Sequence, residues 1–203
     1  MLATPIFSRP VYPGLRLDPY AKLNLILAEG EGAQAVLDLC RTPAATAAVL
    51  KRTLILFCAD GPADRAMLPA LEALGPQALW TFPSVETTLF RLRAVLQTAT
   101  MGTRILAAGT EPFIGHVVAE AAAFGVDPRS VITEHRGSSR RRVQCVHCKG
   151  MMDDVTQSPV VCAHCGLSLF VRDHYSRRLG AFQGVCVDAE VPGEVPAPEE
   201  LYP

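Results

Sequence analysis

Residues 145–166 read CVHCKGMMDDVTQSPVVCAHCG and carry two C-x-x-C pairs, each followed closely by a glycine that suits a tight turn. The four cysteines are Cys145, Cys148, Cys162 and Cys165. Two such pairs bring four thiolates around one ion at tetrahedral geometry, with Zn–S distances of about 2.3 Å. The 13 residues between the pairs suffice for a short β-hairpin. The spacing therefore predicts a zinc ribbon with a structural ion, because a four-cysteine site leaves no open coordination position.

Other uses of the four cysteines fit the sequence less well. Disulfides need an oxidising compartment, and the N-terminal residues MLATPIFSRPVYPGL lack a basic stretch followed by an apolar core. A redox-active C-x-x-C usually occurs once, beside a strand–helix unit. Iron remains an alternative to zinc, because a tetrahedral all-thiolate cage suits both metals.

Upstream of the ribbon, apolar strand patterns alternate with helical ones. The predicted strands are Leu23–Ala28, Arg52–Ala59, Ala78–Phe82, Thr103–Ala108 and Ser130–Glu134. The predicted helices are Ala33–Cys40, Pro62–Leu74, a long one capped by Ser84, and Glu111–Phe124. This alternation predicts an α/β fold, with a parallel Rossmann-like sheet covered by helices on both faces.

The whole chain is divided by these patterns into five segments. They are an extended N-terminal arm (1–22), the α/β domain (23–135), a polar linker (136–142), the zinc ribbon with the segment that follows it (143–185), and an acidic, proline-rich tail (186–203). Cys40, Cys58 and Cys186 lie outside the ribbon and are predicted to be packing residues.

The composition of the chain argues against two classes of function, nucleic-acid binding and membrane insertion. A formal net charge of −1 argues against nucleic acid as the main ligand. No apolar run approaches the roughly 20 residues that span a bilayer, so no membrane segment is predicted. The absence of a targeting segment predicts a cytoplasmic protein.

Residues 103–135 resemble the end of the pyridine-nucleotide domain of ferredoxin reductases. The matching positions, in order, are Gly109, Pro112, Phe113, Gly125, Val126, Ile132 and Glu134. Where that family has a cysteine beside the nicotinamide this chain has Ala108, and Thr110 replaces a proline. By this resemblance Gly109, Thr110, Pro112 and Phe113 are candidate cofactor-binding residues of a nucleotide domain that has lost its chemistry.

The stretch FVRDHYSRRLGAFQGVCVDAEVPGEVP (170–196), joined to the ribbon, resembles the small A-type subunit of dimethylamine monooxygenase. Within it six residues are predicted to form a partner interface, because multi-donor arginines serve carboxylate recognition. They are Arg172, Asp173, His174, Tyr175, Arg177 and Arg178. No nucleophile or second carboxylate has a fixed relation to His174, so no catalytic residue is predicted.

The resemblance implies an auxiliary subunit of a cytoplasmic, NADPH-dependent complex that demethylates dimethylamine to methylamine and formaldehyde. Haem would then lie on an oxygenase subunit, and flavin and iron–sulfur centres on a reductase subunit. This chain would contribute a structural zinc site and an assembly role. An alternative hypothesis is an electron-transfer component that uses iron in the cysteine cage or a flavin.

Overall fold

The computed structural model describes residues 8–203, so the first seven residues of the predicted arm lie outside the described part. Two compact units make up this part of the chain. One is the α/β unit, Tyr12–Gly137, and the other is the ribbon unit, which combines residues 8–11 with Ser138–Pro203. No helix among the described residues is long and apolar enough to cross a membrane.

The α/β unit is built on five parallel strands in the order β3-β2-β1-β4-β5. Its elements are β1 (Leu23–Glu29), α1 (Gly32–Cys40), α2 (Ala47–Leu50), β2 (Thr53–Cys58), α3 (Pro62–Arg65), α4 (Leu68–Ala73), β3 (Ala78–Phe82), α5 (Val85–Leu96), β4 (Thr103–Gly109), α6 (Glu111–Ala123) and β5 (Val131–His135). This is the strand order of a Rossmann sheet, which confirms the predicted fold class.

Both faces of the parallel sheet are covered. All six residues of β2 are buried, as its unbroken apolar sequence predicts. On one face α1 and α4 pack on Ile55 and Phe57. On the other face α5 and α6 pack on Leu54 and Leu56. Successive strand residues thus alternate between two cores, which is why no polar position interrupts the strand.

One predicted helix is in fact two short helices. The expected helix Pro62–Leu74 is divided into α3 and α4. Pro69 lies in the first turn of α4, where its missing N–H costs nothing. Inside a longer helix it would remove a hydrogen bond and clash with the carbonyl of the preceding turn. The long helix after Ser84 is confirmed, and the Ser84 hydroxyl accepts from the Thr87 N–H.

The ribbon unit consists of a five-stranded sheet in the order β7-β6-β11-β10-β9 and a separate two-stranded sheet of β12 and β8. The strands are β6 (Arg141–Cys145), β7 (Met151–Val155), β8 (Gln157–Ser158), β9 (Val160–Val161), β10 (Ser168–Ser176), β11 (Ala181–Cys186) and β12 (Glu199–Glu200). The segment after the second cysteine pair forms the strand β10. Leu169 and Val171 are buried and Phe170 and Arg172 exposed, which is the period of a strand and not of a helix.

Both predicted extended ends make specific contacts. Gly14 and Leu15 donate their N–H groups to the Thr133 carbonyl and the Glu134 carboxylate of the α/β unit. Ser8 donates to the Asp173 carbonyl in the ribbon unit. At the other end Tyr202 is buried in the ribbon core. The linker predicted at 136–142 runs into β6, which begins at Arg141.

Candidate metal centre and neighbouring surfaces

The two cysteine pairs are the turns of two antiparallel hairpins, β6–β7 and β9–β10. In the first turn the Cys145 N–H donates to the Gly150 carbonyl, and the Lys149 N–H donates to the Cys145 carbonyl. In the second turn the equivalent donors are the N–H groups of Cys162 and Gly166. Both turns therefore share one hydrogen-bond pattern, which aims the two sulfurs of each pair to the same side.

Each turn has a residue in the left-handed region directly after its second cysteine. Gly166 takes this position in the second turn with φ +77°, as the sequence predicts. In the first turn Lys149 takes it with φ +64°, at a steric cost that glycine avoids. Gly150 makes room for a neighbouring side chain, since a Cβ there would lie 2.3 Å from the His164 ring. The His164 ring also hydrogen-bonds the Met151 carbonyl and so joins one turn to the other.

The four sulfur atoms converge, all lying within 4.8 Å of one another. The Cys145–Cys165 and Cys148–Cys162 sulfur distances are 3.8 and 3.7 Å. Four sulfurs at tetrahedral corners about 2.3 Å from a zinc ion would be about 3.8 Å apart. The donor set and its spacing therefore fit one tetrahedral thiophilic ion such as zinc or iron.

The electrostatics of the thiols also favour a cation. Burial acts to raise the pKa of Cys162, but N–H groups of His164 and Cys165 and the neighbouring thiols lower it to about 6. The Leu167 N–H acts to lower the pKa of Cys165, but burial and the other three thiols raise it to about 12. Once one sulfur is ionised its neighbours resist ionisation, because like charges at this distance repel. A bound cation removes that repulsion.

The remaining cysteines, Cys40, Cys58 and Cys186, do not belong to this cluster. Burial raises the pKa of both Cys40 and Cys58 to about 11, which keeps these thiols neutral at pH 7. The Cys186 thiol donates to Asp188, and that carboxylate raises the pKa of Cys186. Neutral, high-pKa thiols are poor nucleophiles.

Two of the six predicted interface residues serve the ribbon unit itself. Asp173 forms ion pairs with Arg9 at 2.7 Å and Arg141 at 2.8 Å. Burial acts to raise the pKa of Asp173, but the two guanidinium groups outweigh it and lower that pKa. The Tyr175 ring packs edge-on against Phe182, with centroids 5.0 Å apart.

The other four, Arg172, His174, Arg177 and Arg178, are exposed. Among residues 8–203 they form no ion pair. They lie on β10 and in the turn to β11, so they form one basic end of this hairpin. We call these four residues the basic hairpin end.

Arg141 is a central residue that the sequence analysis missed. It is 5% exposed, although it was assigned to a polar linker. Its guanidinium carbon lies 4.0 Å from the centroids of both the Phe182 and Tyr202 rings. The available signal was the alternation of Arg141, Val143 and Cys145, which places all three on the buried face of β6.

The carboxyl edge of the parallel sheet is where such folds place a ligand, at the switch point between β1 and β4. Here the Glu29 carboxylate accepts hydrogen bonds from the Thr110 N–H at 3.1 Å and the Thr110 hydroxyl at 2.7 Å. Gly32 packs so closely on β4 that a Cβ would lie 2.1 Å from the Ala108 carbonyl. A carboxylate thus takes the position that a phosphate would need.

The predicted cofactor-binding residues stand at this edge but are covered. Gly109, Thr110, Pro112 and Phe113 are all buried. Phe113 belongs to the core beneath α6, at 1% exposure. A cleft of about 490 Å³ lies at the opposite edge, beside Gly102, where β4 begins.

The chain has partial likenesses among solved structures. One is flavohemoglobin from Malassezia yamatoensis with bound FAD and heme, at 14% identity and a TM-score of 0.42, covering 59% of this chain and 33% of that one. Another is full-length CYP116B46 from Tepidiphilus thermophilus, at 17% identity and a TM-score of 0.43, covering 68% and 19%. This chain spans a third or less of those proteins.

Sequence relatives cover the chain much more completely. The heme-dependent oxidative N-demethylase delta subunit of Ectopseudomonas mendocina (strain ymp) is 32% identical over 186 residues, which is 92% of this chain and 91% of the relative. Residues 4–131 match the family described as dimethylamine monooxygenase subunit DmmA-like, N-terminal domain. Residues 142–185 match the corresponding C-terminal domain. The chain therefore belongs to the DmmA-like family of dimethylamine monooxygenase subunits, as its ribbon and following segment had indicated.

Proposed function

We propose that this chain is a non-catalytic assembly subunit of a multicomponent, haem-dependent amine demethylase of the dimethylamine monooxygenase type. The observation that carries the proposal is the similarity to a demethylase delta subunit along nearly the whole chain. The substrate would be dimethylamine, oxidised to methylamine and formaldehyde with NADPH and O2. Haem, flavin and iron–sulfur centres would lie on the oxygenase and reductase partners.

The carboxyl edge of the sheet supports a role without hydride transfer. The donors at Thr110 already bind Glu29, and a carboxylate there would repel the phosphates of a pyridine nucleotide. Ala108 leaves no thiol beside a nicotinamide. We infer that the α/β unit keeps the Rossmann scaffold as a docking body and that NADPH is used by the reductase partner.

The four cysteines would hold a structural zinc ion. The ion would fix the turns of the β6–β7 and β9–β10 hairpins at one point. It would carry no step of the reaction, because four thiolates fill its coordination sphere. Iron in the same cage is the second candidate, since the cage geometry suits both ions. With iron in the cage, the chain would be an electron-transfer component.

The basic hairpin end would be the contact with a partner subunit. Its four side chains are exposed and cationic or titratable, and Asp173 and Tyr175 hold the strand that presents them. We expect an acidic surface on the oxygenase or reductase subunit, because charge complementarity steers association and fixes register.

Co-expression with tagged oxygenase and reductase subunits tests this proposal. The wild-type chain should co-purify and support NADPH-dependent release of formaldehyde from dimethylamine. The combined variant Arg172→Ala, His174→Ala, Arg177→Ala and Arg178→Ala should lose at least tenfold in co-purification while keeping its metal and its melting temperature. The control is Lys51→Ala with Arg65→Ala, which removes two exposed cations from the α/β unit. Normal assembly of the hairpin variant would refute this interface, and a wild-type chain that never co-purifies would refute the assembly role.

A further inference from the structure

The segment Glu199–Pro203, which we call the strap, is held like a bound peptide. Glu199 and Glu200 pair antiparallel with Ser158 and Gln157. The N–H groups of Leu201 and Tyr202 both donate to the Thr156 carbonyl, at 3.0 and 2.9 Å. The strap thus adds a strand to the edge of β8, which is a common mode of peptide recognition.

Tyr202 is the anchor of the strap. Its side chain is 8% exposed and belongs to the core of the ribbon unit, together with Phe182 and Val171. The guanidinium of Arg141 lies 4.0 Å from the Tyr202 ring centroid, within the range of a cation–π contact. A nearly buried arginine with a fixed carboxylate partner, Asp173, is a built pocket for an aromatic ring.

The residue after the anchor is also held. The Pro203 carbonyl oxygen accepts from the Ser138 hydroxyl at 2.8 Å and from the hydroxyl and N–H of Ser139 at 3.0 and 2.6 Å. Backbone pairing, an aromatic pocket and an oxygen-binding pair of serines therefore act over five consecutive residues. A loosely held segment would show none of these three contacts.

The connection to the strap is different. Residues 189–198 are all exposed and include Pro192, Pro196 and Pro198. The backbone hydrogen bond within this stretch is local, from Glu194 to Val191. A ten-residue exposed tether lets the strap leave its groove and reach the groove of another copy without disturbing the sheet.

We propose that the groove between β8 and Arg141 is a peptide-binding site whose ligand is the strap, and that straps exchange between two copies of this chain. The recognised chemistry is an extended segment in which a tyrosine follows two acidic residues. The occupant in the folded chain is its own strap, and the exchange partner is the strap of a second copy. Exchange would link two copies without any new kind of contact. Each strap would make in the partner's groove the same interactions that it makes in its own.

Peptide binding tests the site directly. The probe is a fluorescently labelled peptide PAPEELYP, the sequence of residues 196–203, added to the full-length Tyr202→Ala variant. We expect saturable binding that is at least tenfold tighter than to the wild-type chain, whose own strap competes. The control peptide PAPEELAP should not bind. A folded Tyr202→Ala variant that does not bind PAPEELYP would overturn the peptide site.

Covalent trapping tests exchange without removing the anchor. Gln157 and Glu200 face each other across the β8–β12 pair, and both are exposed. Chains with Gln157→Cys are mixed with chains carrying Glu200→Cys and oxidised mildly. We expect a disulfide-linked dimer that neither variant forms when mixed with the wild type. A single chain with both substitutions is the positive control, because it should close the bond internally. If the disulfide forms within the doubly substituted chain but no dimer forms in the mixture of the two single variants, straps do not exchange between copies.

Discussion

The carboxyl edge of the parallel sheet and the four-cysteine cluster of the ribbon are both places where proteins commonly hold a cofactor. At the sheet edge the polar donors already have a partner, since the Glu29 carboxylate accepts from the N–H and the hydroxyl of Thr110. At the ribbon four thiols face one another at distances that suit thiolates around an ion. One site is closed by the chain itself, and the other is stable as four thiolates only with a cation.

This difference shows that a backbone scaffold alone does not define a cofactor site. The strand order of the α/β unit is that of a dinucleotide-binding fold, yet a carboxylate stands where a phosphate would bind. The ribbon has a smaller scaffold, but its four thiols can all lose their protons only around a cation, because neighbouring thiolates repel one another. Whether the charges at a site are already satisfied decides what the site binds.

Replacing Cys148, the exposed cysteine of the four-cysteine cluster, should cause the greatest loss of stability. Cys148→Ser should unfold the ribbon unit, because structural zinc contributes about 10–16 kcal/mol of apparent binding free energy, comparable to the whole stability of a domain. An exposed cysteine without a metal would change stability by less than about 0.5 kcal/mol when replaced by serine. Calorimetry and hydrogen exchange of residues 138–203 measure the effect.

Cys186→Ser is the matched control, since this thiol is partly exposed and lies outside the cluster. It should melt like the wild type, and a zinc chelator should reproduce the Cys148→Ser result. If Cys148→Ser melts like Cys186→Ser, the four cysteines do not hold a structural ion.

The second effect concerns close packing at the sheet edge. Gly32→Ala should destabilise the α/β unit by about 3 kcal/mol or more, because the new Cβ would overlap the Ala108 carbonyl and force α1 away from β4. Gly61→Ala is the control, since a Cβ there meets nothing within 4 Å. Chemical denaturation followed by tryptophan fluorescence reports this unit through Trp80. Equal stability of the two variants would mean that Gly32 does not set this contact.

The third effect tests the closed edge. Glu29→Ala should lower the free energy of unfolding of the α/β unit by about 2 kcal/mol, because it leaves the Thr110 N–H and hydroxyl without their acceptor. Glu31→Ala removes an exposed carboxylate from the same turn and should have little effect. In parallel, an NADPH titration of the wild type should show no saturation at millimolar concentrations. Saturable binding of NADPH by the wild type would contradict a closed edge.

The smallest expected effect concerns the backbone strain at Lys149 in the first cysteine turn. Lys149→Gly should stabilise the ribbon unit by up to about 1 kcal/mol, because glycine adopts φ +64° without a steric cost. The loss of the Lys149 side-chain bond to the Val146 carbonyl acts in the opposite direction. Thermal unfolding of the zinc-loaded protein measures the balance. A large loss of stability would show that the Lys149 side chain, and not the turn geometry, holds this loop.

Much of the fold follows from local patterns. The β2 sequence is apolar throughout because both of its faces are buried, and Ser84 begins a helix because its hydroxyl caps the first turn. The cysteine spacing predicts the cluster because a turn of that length places two sulfurs on one side. These features depend on residues close in sequence, so the sequence is sufficient to predict them.

What the sequence left open depends on distant contacts. Glu29 meets Thr110 across 81 positions, and Tyr202 stacks on an arginine 61 positions away in a segment predicted to be a linker. In the basic stretch after the ribbon, Asp173 and Arg177 stand four positions apart, a spacing that would also suit a helix. The pairing of this stretch with β11 makes it a strand. Asp173 lies at the register shift of that pairing and forms its ion pair with Arg141.

Metal content and the visible spectrum of the purified chain decide between a structural zinc ion and a redox cofactor. We expect one zinc ion per chain and no colour, because Zn²⁺ is a closed-shell d¹⁰ ion, with the reaction left to partner subunits. Stoichiometric iron, or the absorbance of a bound flavin, would place this chain on the electron path and contradict the claim that it is a non-catalytic assembly subunit.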